Sequence, residues 1–146
     1  MKIMISGSMD FSKEMLDAKE ELEKMGHVAM LPGDIHACLS DPDLRNFSDQ
    51  DREDGYEKTL RHCVERNLLK DALDKVSESD AVLIFNQKKN NIEGYVGAAV
   101  LMEIGLAFHL GKKIYLFNEV DKSQRCSIEI GITQPIVING DLGKIE

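Results

Sequence analysis

The chain has 146 residues, 42% of them hydrophobic and 30% charged, with a formal net charge of -8. That length carries one domain with a sizeable core, and the acidic balance excludes a protein that grips polymeric nucleic acid through a broad basic face. No apolar run reaches membrane-span length, the N-terminus lacks the apolar core of a signal peptide, and the three cysteines (Cys38, Cys63, Cys126) have no paired spacing, so they read as reduced thiols of a cytoplasmic protein that uses no membrane.

Lys2 to Ser6 reads as a short apolar strand broken by Gly7. Ser8, Asp10 and Ser12 are placed to cap a helix that runs to about Met25, with Phe11, Met15, Ala18, Leu22 and Met25 on one buried stripe. Gly26 stops it. His27 to Leu31 reads as a second strand, closed by Pro32-Gly33. Asp34 to Gly55 has no period and reads as a long loop, either a lid or binding loop or a disordered insertion. Tyr56 to Val76 reads as one long helix, with Leu60, Val64, Leu68, Ala72 and Val76 down one face.

Asp80 to Phe85 is a continuous apolar run, as in a central parallel strand covered on both faces. A polar loop leads to a second helix-forming stretch that Gly111 ends. Lys113 to Phe117 is a fourth strand, and Gln134 to Ile138 a fifth, at an edge. Strands alternating with helices imply right-handed crossovers and a doubly wound parallel sheet, an α/β fold of the Rossmann-like or flavodoxin-like kind.

Glu103 stands out. From Gly94 to Phe108 it is the only charged residue, flanked by Met102 and Ile104. A carboxylate buried without a partner costs free energy, and one kept there is a candidate nucleophile or general base. The competing expectation is that it points to solvent. Three loops are expected to meet it where open α/β sheets bind ligands, at the carboxyl ends of the strands. One is Ser6-Gly7-Ser8-Met9, whose N–H groups at a helix start suit a phosphate, although it is neither a dinucleotide fingerprint nor a P-loop. The second runs from Asn86 to Asn91. The third is Gly94-Tyr95-Val96-Gly97, where small residues leave room for a flat ligand or for tight helix–sheet packing. Asp80 reads as a structural or capping residue. The histidines, His27, His36, His62 and His109, lack metal-ligand spacing, and neither a metal nor a cofactor is expected.

The frame K-I-M-I-S-G-S, S-D-A-V-L-I-F-N and G-Y-V-G-A-A-V-L-M-E-I-G-L-A-F-H-L-G-K-K-I-Y-L-F-N resembles the nucleoside 2-deoxyribosyltransferase superfamily, which includes the 2'-deoxynucleoside 5'-phosphate N-hydrolases. The resemblance spans Lys2 to about Asn118, and its most specific part is the block around M-E-I-G. It implies a single five-stranded domain over residues 1–146 and a nucleophilic role for Glu103 at C1' of the sugar. It also implies a homodimer or higher homo-oligomer whose subunits complete each other's sites. Met4, Ala72 and Gly97 stand where many transferases of the family carry a tyrosine and two aspartates.

The expected activity is therefore cleavage or transfer at the N-glycosidic bond of a nucleoside or its 5'-monophosphate. Gly7, Ser8 and Met9 would hold the 5' end, and Asn86, Gly94, Tyr95 and Gly97 would line the sugar and base pocket. Asn86, Asp80, Tyr95 or a residue of a partner subunit would protonate the leaving base. Two rivals remain: a non-catalytic nucleotide-binding or signalling module on the same fold, and a structural oligomer in which Glu103 pairs across an interface.

Overall fold

A computed structural model describes residues 1–41 and 52–146 of the chain. Five strands, β1 (Lys2–Gly7), β2 (Val28–Met30), β3 (Ala81–Phe85), β4 (Lys113–Leu116) and β5 (Ile136–Val137), form one parallel sheet in the order β2-β1-β3-β4-β5. The helices are α1 (Ser12–Lys24), α2 (Ile35–Ser40), α3 (Arg52–Glu65), α4 (Leu68–Glu78), α5 (Ala98–His109) and α6 (Ser127–Ile132). This is the flavodoxin-like strand order, whose direction reverses between β1 and β3.

Strand alternation sorts the core into two layers. Ile3 and Ile5, Leu83 and Phe85, and Tyr115 face α1, where Met15, Ala18 and Leu22 cover them together with Phe11 just before the helix. Met4, Val82 and Ile84, Ile114 and Leu116 face the other way, under Ala72 and Val76 of α4 and Val100, Ile104 and Ala107 of α5. Ser6 continues the parity of Met4, so the alternation turns its hydroxyl toward the α4–α5 layer at the carboxyl end of β1. All five residues of β3 are buried, as its unbroken apolar run requires.

Three expectations need correction. The long helix from Tyr56 is two helices, because Asn67 adopts a left-handed conformation (φ 54°) between α3 and α4. Ala72 and Val76 are buried as expected, but Leu60 and Val64 are 45% and 68% exposed. The apolar spacing continues through Asn67, so periodicity alone does not show the break. Asp34 to Gly55 is not one loop: α2 occupies Ile35–Ser40 and α3 begins at Arg52, while residues 42–51 lie outside the described residues. The fifth strand is confined to Ile136–Val137, with Gln134 in a left-handed turn (φ 50°) before it. The segment before it, of uncertain structure from sequence, forms α6.

The first helix also starts differently. Ser8 caps a short 3-10 turn (Met9–Phe11) by accepting from the Asp10 N–H, and α1 proper begins at Ser12. Asp80 lies at the amino end of β3, where its carboxylate accepts from the Lys2 N–H at 2.7 Å. It ties two strand starts together, so its role is structural and it stands at the end of the sheet away from Glu103. No helix among the described residues is long and apolar enough to cross a membrane.

Candidate functional site

A cavity of about 370 Å³ opens at the carboxyl ends of β1 and β3, beside the switch point. Gly7, Ser8 and Met9 line it from β1, and Tyr95, Gly97 and Glu103 from the segment and helix after β3. These six expected site residues are brought together by the fold.

Glu103 sits in the second turn of α5, three residues after Val100 and four before Ala107, on the stripe that α5 buries. Its residue exposure is 6%, which overturns the solvent-facing alternative. Oε2 is buried with no hydrogen-bond partner among the described residues, and so is the Ser6 hydroxyl. Burial pushes the Glu103 carboxyl above its ordinary range, and the neighbouring Ser6 hydroxyl partly opposes this by favouring the charged form. No well-formed hydrogen bond joins the two groups, so desolvation dominates. An unsatisfied buried polar group of this kind costs about 1–3 kcal/mol.

The turn after β1 is tied to the loop after β3 by Lys89. Its ammonium donates to Ser8 Oγ at 2.9 Å, pairs with Asp10 Oδ2 at 2.8 Å and stands 5.3 Å from the centre of the Tyr95 ring. This places a cation beside the Ser8 turn, on the cavity wall. Gly7 is required by packing: a Cβ there would approach the Phe85 carbonyl oxygen to 2.9 Å.

Asn86 and Gly94 do not line the cavity. The Asn86 amide spans the loops after β3 and β4, donating to the Asn118 carbonyl at 2.8 Å while its Oδ1 accepts from the Asn118 N–H at 2.9 Å. An asparagine 1% exposed must satisfy its polar atoms, and this pairing with Asn118 does so. Gly94 takes φ +60° against the backbone of Glu119, and its carbonyl accepts from Gln124 Nε2 at 2.9 Å. Both residues hold the segment that presents Tyr95 and Gly97.

The far wall carries a group that sequence reasoning passed over. Pro32, Gly33 and Asp34 follow β2, and Thr59, His62 and Cys63 come from α3. Asp34 is 7% exposed and its Oδ2 meets His62 Nε2 at 3.1 Å, while Arg66 Nη1 lies 3.5 Å from Oδ1. Burial, and then the Asp34 charge, push the Cys63 thiol up, so it stays protonated and is a poor nucleophile. Only the proline–glycine turn after the second strand hints at this wall. A contact between residues 28 positions apart leaves no local trace. Among the described residues no group of three or more His, Cys, Asp and Glu side chains could hold a metal ion.

No family model, curated protein or solved structure matches the chain.

Proposed function

We propose that the protein cleaves or transfers at the N-glycosidic bond of a nucleoside or its 5'-monophosphate, with Glu103 as the nucleophile. One observation carries this reading: a carboxylate with one oxygen unpaired among the described residues is buried on the wall of a cavity at the switch point of the sheet. Breaking the bond builds positive charge at C1', and a carboxylate on one face stabilises it or bonds to it. Its desolvation weakens it as a resting anion and strengthens its attraction for the cation that forms. The Ser8 turn, with Lys89 beside it, suits the 5' end or its phosphate. The resemblance around Met102-Glu103-Ile104-Gly105 points the same way.

The test is release of free base. Purified protein is incubated with ribo- and deoxynucleosides and their 5'-monophosphates, and the products are separated by chromatography beside the Glu103→Ala variant. Base from at least one substrate, absent with the variant, is the expected result. Nucleotide binding without base release would leave the binding-module reading standing instead.

The same reading includes a homo-oligomer and a cytoplasmic setting. The exposed side of α5 carries Met102 and Phe108, each 52% exposed, and Ile128 and Ile132 of α6 are 73% and 63% exposed. Apolar exposure of this kind marks interaction surfaces. Sedimentation should show a dimer or larger assembly, and a monomer at micromolar concentration would exclude it. The three cysteines form no disulfide, which suits a reducing compartment.

A further inference from the structure

N-glycosidic cleavage needs a second group. As the C1'–N bond breaks, its electron pair passes to the base, which leaves readily only if it gains a proton. Of the three donors that this chain offers from sequence, Asp80 is at the wrong end of the sheet and the Asn86 amide is spent on loop backbone. Tyr95 lines the cavity, but a phenol is a far weaker acid than an imidazolium. Lys89 is committed to Ser8 and Asp10.

We infer that His62, oriented by Asp34, is the general acid that protonates the leaving base. The inference rests on the N-glycosidic reading of Glu103. His62 lines the same cavity from α3. Its Nε2 meets the buried Asp34 carboxylate at 3.1 Å, which fixes the orientation of the ring. Nδ1 is then the nitrogen that carries the transferable proton.

In the first step a Glu103 oxygen bonds to C1', the C1'–N bond breaks, and the Nδ1 proton passes to the base, which departs neutral. In the second step water attacks C1', neutral His62 takes its proton, and the Glu103 carboxylate is released with the free sugar. An acceptor base in place of water, giving its proton to His62, makes the same cycle a transfer. Asp34 is a positioning residue: it touches His62, and its second oxygen faces Arg66.

A change of leaving group tests this. The 4-nitrophenyl glycoside of the preferred sugar, phosphorylated as the preferred substrate is, releases nitrophenolate without needing a proton. For His62→Gln and His62→Asn, base release should fall by about 10²–10⁴-fold, the ordinary worth of a general acid. The first-turnover burst of nitrophenolate should stay within about tenfold of wild type under the same logic. Glu103→Gln should lose both reactions. Equal loss on both substrates in the His62 variants at an unchanged melting midpoint, or no loss on either, would overturn the assignment while leaving Glu103 in place. Failure of the wild-type protein to cleave any substrate would instead sink the N-glycosidic reading, and this inference with it. A melting curve for each variant separates misfolding, which appears as equal loss with a lowered midpoint, from a chemical defect.

Discussion

Glu103→Gln should cut turnover by roughly four to six orders of magnitude, as removing a covalent nucleophile does, and yet make the protein more stable at neutral pH. Both effects have one origin. Glu103 is 6% exposed and Oε2 has no partner among the described residues, so ionising it in the folded chain is unfavourable. Its folded pKa is raised, and the sign follows from that. Below the ordinary value of 4.5 the group is protonated in both states, and wild type and variant should melt together. As pH rises through the raised folded value, the unfolded chain releases the proton more readily than the folded one, and wild-type stability falls behind. Glutamine keeps the shape and never ionises, so its advantage should grow with pH to about 1–3 kcal/mol. Melting curves from pH 4 to pH 8 measure it. A constant difference between the two proteins across that range would show that the carboxylate is solvated or paired. For activity the same shift moves the acid limb of kcat/KM above the ordinary carboxylate range, because the nucleophile must be ionised.

How much of this was legible in the sequence depends on the range of the interaction. The buried run Ala81–Phe85 and the helix around Glu103 carry their own periodicity and punctuation, and both stand where the pattern places them. Glu103 itself was visible because no other charge lies within its helix. The break at Asn67 was not, because the apolar spacing continues across it without a glycine or proline. Asp34 and His62 come together only through the docking of α3 against the turn after β2, so their pairing has no local signature. Asn86 and Gly94 read as pocket residues because polar and glycine residues after strands suit ligands. The same properties also suit loop clamps, and only the partners, Asn118, Glu119 and Gln124, decide between the two uses.

That distinction makes the two glycines before α5 behave differently. Gly94→Ala should destabilise the fold by about 3–5 kcal/mol, in the range reserved for backbone strain and overpacking combined. Its φ of +60° disfavours any Cβ, and the added atom would lie 1.8 Å from the Glu119 carbonyl oxygen and 3.1 Å from the Val120 Cα, both backbone. The segment has little freedom to yield. The Gly94 carbonyl is held by Gln124 Nε2 at 2.9 Å, the Val96 N–H donates to Gln124 Oε1 at 2.9 Å, and the Tyr95 N–H donates to the Gln87 carbonyl at 3.0 Å. Moving the loop to relieve the clash would break bonds of buried groups. Gly97 has φ -82°, and among the described residues a Cβ there would meet the Tyr95 ring at 3.6 Å and its hydroxyl at 3.7 Å, ordinary contact distances. Gly97→Ala should therefore leave the urea midpoint nearly unchanged while intruding on the cavity beside Glu103, so that it weakens substrate binding without unfolding the site. If Gly94→Ala unfolded at the wild-type urea concentration, the clamp between the loops after β3 and β4 would not be what positions α5. If Gly97→Ala were the more damaging of the two to the fold, its place on the cavity wall would be wrong.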